Sequence, residues 1–258
     1  MFEVIWSEII LLLFGLAVGS FLNVVIDRTA QGRSIWKGRS MCDNCHKKLS
    51  PLELIPIASY VMLGGRCKHC RAKIPSRLLV VELITGCTFV LLGFEYLQNT
   101  INFPNLFYLL VVSSLLISIF FIDLEYGIIP DKLNSIFVLV TLIYLLFFTQ
   151  GEILSHIAVG ICTFLFFFLL FIVTRGRGMG LGDVKYSFVM GLALGFPQII
   201  AGLYIAFLTG AAISLILIVY GKKKLKSTVP FGPFLVTATF IAYLWGGQIM
   251  EIILRRFF

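Results

Sequence analysis

Long stretches without any charged residue dominate this chain of 258 residues. The longest, Tyr186–Gly221, runs for 36 residues, and over the whole chain 59% of residues are hydrophobic and only 13% are charged. Soluble domains carry about 25% charged residues, so these figures exclude a disordered chain and argue strongly against a soluble domain. Because a membrane-spanning helix needs about 20 mostly apolar residues, the sequence predicts an all-α polytopic membrane protein.

The lengths of the apolar runs predict about eight transmembrane helices. Six runs of spanning length each give one helix: Ile9–Ile26, Leu78–Leu97, Leu106–Ile122, Leu133–Thr149, Ile153–Thr174 and Phe231–Met250. The run Tyr186–Gly221 is too long for one span, since a single helix would measure about 54 Å against a hydrocarbon core of about 30 Å. Gly195-Phe196-Pro197 supplies turn residues in its first half, so we split this run into two helices.

The basic residues predict the orientation of these helices. With eight alternating spans, 19 of the 21 lysines and arginines fall on one side of the membrane, and only Arg255 and Arg256 fall on the other. The positive-inside rule makes the basic side the cytosol, so residues 27–77 are cytosolic and both termini lie outside. The net charge of +8 then reports topology, and we predict the lipid bilayer rather than nucleic acid as the partner.

Residues 27–77 form the one long polar segment, and they contain four cysteines. Cys42 and Cys45 form one C-x2-C pair, and Cys67 and Cys70 form a second pair after 21 intervening residues. This spacing is typical of zinc ribbons, in which four thiolates hold one structural Zn²⁺. Two disulfides or four free thiols are alternatives, but disulfides are rare in the cytosol. His46 and His69 lie beside or within the pairs, so a histidine replacing one cysteine ligand is a further alternative.

Two aspartates at predicted helix ends are candidates for chemistry, because carboxylates at membrane depth are costly. Asp123 ends the third predicted span and Asp183 begins the sixth, both on the cytosolic side. Two carboxylates at similar depth can share one proton, as aspartyl hydrolysis requires. Gly180 and Gly182 precede Asp183 and allow a substrate strand to approach the backbone closely. Alternatively, each acidic residue is a headgroup-level charge or a helix cap, as Asp131 after Pro130 suggests.

Several segments together resemble one known family. Gly180-Leu181-Gly182-Asp183-Val184-Lys185 resembles the GxGD motif of intramembrane aspartyl proteases. The prepilin peptidases, or type IV leader peptidases, share this motif, and further blocks of the chain are similar to theirs in the same order. These blocks are Gly19–Arg28, Leu52–Tyr60, Gly65–Cys67, Val81–Leu83 and the segment from Asp123 to Asp131 that includes Gly127-Ile128-Ile129-Pro130. The resemblance covers nearly the whole chain, with Leu52 as a departure where an aromatic residue is expected.

The resemblance implies a reaction, a cofactor and roles for particular residues. Members of the family cleave the basic leader from type IV prepilins and pseudopilins at the cytosolic face, usually between glycine and phenylalanine. Bifunctional members then methylate the new N-terminal amine with S-adenosylmethionine. The family's catalytic aspartates correspond to Asp123 and Asp183, with Gly180, Gly182 and Lys185 as supporting motif residues. Its zinc ligands correspond to Cys42, Cys45, Cys67 and Cys70.

These inferences give a domain organisation and a location. We expect a first span over residues 1–26, a cytosolic zinc-binding domain over 27–77, and a seven-helix protease domain over 78–258. The expected location is the bacterial inner membrane. There are two alternative functions: a transporter that uses the two aspartates as an ion relay, and a membrane scaffold whose zinc loop binds a partner. We find no internal repeat of the kind that transporters often show.

Overall fold

The computed structural model describes residues 2–149, 151–176, 178–220 and 230–257. Nine α-helices and one short 3₁₀ helix, Pro51–Leu54, make up this part of the chain. The helices are α1 (Phe2–Ala30), α2 (Ala58–Met62), α3 (Ser76–Leu97), α4 (Phe103–Tyr126), α5 (Asp131–Phe148), α6 (Ile153–Val173), α7 (Leu181–Leu194), α8 (Gln198–Val219) and α9 (Gly232–Phe257). The only β pairing among the described residues is two isolated bridges. The predicted all-α fold class is confirmed.

Seven of these helices are long and apolar enough to cross a membrane: α1, α3, α4, α5, α6, α8 and α9. The predicted division of Tyr186–Gly221 is also present, because α7 ends at Leu194 and α8 begins at Gln198. However, α7 has 14 residues, and at about 1.5 Å per residue such a helix reaches about 21 Å, less than the apolar thickness of a bilayer. The predicted count of about eight therefore corresponds to seven full spans and the shorter α7.

The chain divides into two compact units, residues 1–118 and residues 119–258. In the first unit α1 packs along α3. Gly15 and Gly19 are four residues apart on α1 and allow this close approach: a Cβ on Gly19 would lie 2.7 Å from the Cα of Glu82, and one on Gly15 would lie 2.8 Å from the Cα of Gly86. Small residues at this spacing are typical of helix pairs in membranes. The segment between α1 and α3 contains the four cysteines.

In the second unit α7 is the central element and contacts α5, α6, α8 and α9. Ten of its 14 residues are buried, and the hydroxyls of Tyr186 on α7 and Thr239 on α9 lie 2.9 Å apart. Gly195, with a φ of +64°, ends the helix in the left-handed region that glycine tolerates. Because protein surrounds α7, this helix does not need the length of a lipid-facing span.

Some of the residues that carry the predicted orientation lie outside the described part of the chain. They are Arg177 and the loop lysines Lys222, Lys223, Lys224 and Lys226. The orientation therefore stays a prediction from the sequence.

Candidate functional site

Asp183 lies in the first turn of α7 and is 7% exposed. One oxygen of its carboxylate accepts a 3.0 Å hydrogen bond from the backbone N–H of Gly180, the residue that precedes the helix. This bond resembles half of a capping box, in which the third helical residue satisfies a backbone donor before the helix. The positive end of the helix dipole also favours a carboxylate in this turn. The GxGD motif thus fixes Asp183 at a buried helix start.

Asp123 lies near the carboxyl end of α4 and is 5% exposed. The backbone N–H of Gly232, at the start of α9, donates to its carboxylate. The Oδ2 atom of Asp123 is buried and has no hydrogen-bond partner in the described residues. A buried carboxylate oxygen without a partner is costly and is therefore a candidate for a functional contact.

The two carboxylates are close enough for their charges to interact. Ile129 and two glycines enclose the space around them. A Cβ on Gly182 would lie 3.1 Å from the Cβ of Ile129, and a Cβ on Gly232 would lie 3.1 Å from its Cδ1. The fold thus brings together the aspartates that the sequence singled out, with Ile129, Gly182 and Gly232 packed around them.

Gly232 was not among the residues predicted from the sequence. A Cβ built there would lie 2.8 Å from the Cγ of Asp123, so any other residue at this position would press on the carboxylate. The local signal is the dipeptide Gly232-Pro233 at the start of the last span, which marks a turn before a helix. That signal does not reveal which distant side chain the glycine faces.

Lys185 and Asp131 form an ion pair that links α7 to the first residue of α5. The Nζ atom of Lys185 lies 2.8 Å and 2.9 Å from the two carboxylate oxygens of Asp131. Asp131 does begin a helix, as predicted, but no sequence pattern indicated Lys185 as its partner. The pair is exposed, with 54% of the lysine side chain and 68% of the aspartate side chain accessible. It connects two helices beside the aspartates without being buried among them.

The four cysteines lie in two turns of the same geometry. In the first, the N–H of Cys42 donates to the carbonyl of Lys47, and Met41 and Lys48 form a β-bridge. In the second, the N–H of Cys67 donates to the carbonyl of Ala72, and Arg66 and Lys73 form the equivalent bridge. His46 and Arg71, the residues after each second cysteine, both have a positive φ. Two matching turns of this kind are what a four-cysteine metal site requires.

The sulfur atoms of these cysteines fit a tetrahedral metal ion. All four ligand atoms lie within 4.8 Å of one another, and the sulfurs of Cys42 and Cys70 are 3.8 Å apart. Sulfurs bound to one tetrahedral Zn²⁺ at about 2.3 Å are separated by about 3.8 Å. The cysteines are not joined in disulfides, and in the described residues neither His46 nor His69 belongs to the cluster. The cluster can hold a metal through cysteines alone.

The surroundings of Cys70 favour the thiolate form that a metal needs. The backbone N–H of Ala72 and the side-chain amide of Asn44 donate to its sulfur, and they lower the pKa of the thiol from 9.0 to about 6. The Nδ2 atom of Asn44 lies 3.6 Å from this sulfur.

Comparison with known proteins places both units in one family. Residues 13–96 match the model of the bacterial peptidase A24 N-terminal domain, and residues 110–215 match that of the type IV leader peptidase family. A relative from Bacillus subtilis (strain 168), named prepilin leader peptidase/N-methyltransferase, is 30% identical over 95% of this chain and 97% of its own length. Proteins of the same name from Aeromonas hydrophila and Pseudomonas aeruginosa are 30% and 31% identical, each over 95% of this chain and over 93% and 92% of their own lengths. No solved structure matches the chain.

These matches extend over both units and agree with the helical membrane fold and the cysteine cluster. They confirm the resemblance that the sequence motifs indicated, and with it the class of enzyme. The chain belongs to the type IV leader peptidase family, as a multi-pass inner-membrane protease that is also a methyltransferase.

Proposed function

We propose that Asp123 and Asp183 form the catalytic pair that removes the leader peptide from type IV prepilins or pseudopilins. The observation that carries this proposal is the burial of both carboxylates, 5% and 7% exposed, at a distance where their charges interact. Two such groups hold one proton between them, because like charges in an apolar site do not both ionise. The pair then offers one base and one acid.

The reaction follows from this shared proton. The ionised carboxylate takes a proton from a water molecule, which attacks the scissile carbonyl carbon, while the protonated carboxylate donates a hydrogen bond to the carbonyl oxygen. The carboxyl group that took the proton then gives it to the leaving amine nitrogen as the C–N bond breaks, and the pair again holds one proton. The Gly180 N–H keeps one oxygen of Asp183 in place, and the Oδ2 atom of Asp123 has no hydrogen-bond partner among the described residues, so it is free to bind water or substrate. Gly180 leaves room beside Asp183 for a peptide backbone, since a Cβ there would meet no atom closer than 3.7 Å, whereas Gly182 packs against Ile129.

The orientation of the enzyme follows from its basic residues. We propose that residues 27–77 and the end of α4 that carries Asp123 face the cytosol, with both termini outside. The distribution of 19 of 21 lysines and arginines supports this arrangement. A prepilin is itself a membrane helix with a basic cytosolic leader, so a catalytic pair at the cytosolic ends of α4 and α7 would lie at the depth of its cleavage site.

We further propose that residues 27–77 form a domain with a structural Zn²⁺ held by Cys42, Cys45, Cys67 and Cys70. Four thiolates leave no open coordination position, so the metal would stabilise the fold of the loop rather than take part in chemistry. The loop has little hydrophobic core of its own, and a metal site can supply that stability. Neither hydrolysis nor methyl transfer needs to pass through this ion.

The second reaction is methylation of the amine that cleavage exposes. S-adenosylmethionine supplies an electrophilic methyl group when bound, and the uncharged amine of the cleaved pilin is its acceptor. We propose this activity because the full four-cysteine loop is present and because the relatives that match over nearly their whole length carry N-methyltransferase in their names.

Cleavage of a prepilin by membranes that carry Asp123→Asn or Asp183→Asn tests the catalytic pair. Loss of an acid or base of this kind lowers a rate by about 10²–10⁴-fold. Glu125→Gln is the matched control, since Glu125 is an exposed carboxylate on α4, two residues from Asp123. We expect the control to cleave at the wild-type rate. Normal cleavage by either aspartate variant would remove that residue from the catalytic pair.

A further inference from the structure

A cavity of about 390 Å³ lies in the first unit, where the cysteine segment meets α1 and α3. Sites for small molecules usually measure about 300–1,000 Å³. Its walls include Ser20 and Asn23 of α1, Glu53 of the 3₁₀ helix and Glu82 of α3, and the exposed Lys68 and Lys73 also line it. The cavity is therefore large enough for a cofactor-sized ligand and combines buried acidic groups with exposed basic ones.

The buried polar atoms in this cavity that lack partners are hydrogen-bond acceptors. Asn23 is 6% exposed, and its Nδ2 atom donates to the carbonyl of Leu78 at 3.0 Å, but its Oδ1 atom has no partner. The Oε2 atom of Glu53 accepts two 2.8 Å hydrogen bonds from Ser50, which lower the pKa of this carboxyl, while its Oε1 atom is buried without a hydrogen bond. A ligand that satisfies these atoms must bring donors.

Glu82 adds a buried carboxylate that neither proposed reaction uses. It is 8% exposed and accepts a 2.7 Å hydrogen bond from the backbone N–H of Ile57. Ser20 also hydrogen-bonds to it. Ile57 has a φ of +59°, which a β-branched residue rarely adopts, so the chain accepts local strain where its N–H reaches Glu82. Both contacts come from neutral hydrogen-bond donors, so neither supplies a positive charge to balance the Glu82 carboxylate.

The acidic groups of the cavity are not equivalent. Asp27 forms an ion pair with Arg77, with 2.7 Å between the nearest atoms, so its charge is neutralised. Glu53 lies 3.8 Å from the Nε2 atom of His69, which pairs with it when the histidine is protonated, whereas Glu82 has no ion pair among the contacts described above. Buried charges are paired in stable sites. The cavity thus fits a positively charged ligand rich in hydrogen-bond donors.

We propose that this cavity binds S-adenosylmethionine, with Glu82, Asn23 and Glu53 as the acceptors that recognise it. This molecule carries a sulfonium and an ammonium charge, an exocyclic amine and two ribose hydroxyls, and its one carboxylate can pair with Lys68 or Lys73 in the exposed part of the cavity. The assignment rests on the proposed methyltransferase function. It names the methyl-donor site, which lies among α1, α3 and the cysteine segment.

Equilibrium dialysis of radiolabelled S-adenosylmethionine against the purified full-length protein tests this assignment without measuring turnover. In Glu82→Gln the carboxylate charge is lost and the shape is kept, so we expect the Kd to rise at least tenfold. Glu95→Gln is the matched control, because Glu95 lies on the same helix but does not line the cavity. Its Kd should stay at the wild-type value.

A second variant keeps the test decisive if Glu82→Gln folds poorly, which loss of bound metal would reveal. Ser59→Trp places a large side chain in the cavity without changing a charge, and we expect it to abolish binding of the methyl donor. Both variants should still cleave prepilin, so failure of this proposal is distinguishable from failure of the catalytic pair. Wild-type affinity in both variants would overturn the assignment. Unchanged affinity with a raised KM for the cleaved pilin would also overturn it, because the cavity would then hold the amine.

Discussion

The four-cysteine cluster and the aspartate pair differ in how their residues come together. Each cysteine pair lies within one short turn, and the hydrogen bonds of that turn place both sulfurs. Asp123 and Asp183 lie on α4 and α7, and their surroundings include Gly232 of α9. Sequence spacing therefore encodes the cluster locally, whereas the aspartate pair depends on the packing of three helices.

The two sites also differ in their electrical surroundings. Three of the four cysteines are only half-buried, and exposed basic residues such as Lys47, Lys68 and Arg71 lie among them. The positive charge of these residues offsets the net charge of −2 that a divalent metal ion would have when bound by four thiolates. The aspartates are buried among apolar residues and glycines, where sharing one proton removes one of the two buried negative charges and so lowers the energetic cost of burial. The first arrangement suits a permanent ion and the second suits proton transfer.

The largest expected effect follows from removing two metal ligands. In Cys42→Ser combined with Cys45→Ser, we expect the metal content of the purified protein to fall from one ion per chain to none, because two thiolates do not hold a structural zinc. Methylation should fall with it, while cleavage should be reduced much less. Metal analysis and separate assays of the two reactions check this.

Cys87→Ser is the matched control for the cysteine variant. Cys87 is exposed on α3 and is not part of the cluster. It should keep the metal and both activities. Full methylation by the metal-free double variant would show that the cluster has no part in the second reaction.

A smaller effect is expected from Gly232→Ala, which adds one methyl group against Asp123. The added Cβ would lie 2.8 Å from the Cγ of the carboxylate and must displace it. A misplacement of about 1 Å in a catalytic group costs about 10²-fold in rate, so we expect cleavage to fall by about that factor while metal binding is unchanged. Initial rates of prepilin cleavage measure the effect.

Gly247→Ala on the same helix is the control, because a Cβ there would meet nothing within 4 Å. Its cleavage rate should equal that of the wild type. Equal rates for the two alanine variants would mean that the position of Asp123 tolerates the added methyl group, which would weaken the case for a precisely held pair.

The smallest effect is expected at the ion pair between Lys185 and Asp131. Exposed pairs contribute about 0–1 kcal/mol, which corresponds to at most about fivefold in a rate or equilibrium. Asp131→Asn should therefore lower cleavage by less than about fivefold, and Lys185→Met should give a similar result because it removes the same pair. A loss of more than a hundredfold in Lys185→Met alone would place this lysine in the chemistry of the aspartate site.

Much of the fold could be predicted, because apolar runs and turn residues act locally. The break at Gly195-Phe196-Pro197 is an example, since the glycine ends α7 where expected. The extent of α7 was harder to predict. The apolar run begins at Tyr186, but the helix begins at Leu181, because Gly180 and Asp183 cap a first turn that also contains charged residues. Hydropathy alone leaves the charged first turn out of the helix, although contacts with protein on all sides stabilise that turn.

The residues of the sites were predictable to different degrees. The cysteines and the two aspartates stood out as rare residue types in an apolar chain. Gly232 and the partner of Lys185 did not, because each acts through a contact between helices that no local pattern reveals. The buried acceptors of Asn23 and Glu82 are a further case, since only the packing of α1 against α3 places them around one cavity.

We propose that two separate sites carry out the two reactions. Methylation of a pilin whose leader has already been removed, measured by mass spectrometry with the Asp183→Asn enzyme, distinguishes separate sites from a shared one. We expect methylation at the wild-type rate, because the proposed methyl-donor cavity lies in the first unit and Asp183 in the second. Absence of methylation in a variant that folds and holds its metal would contradict it.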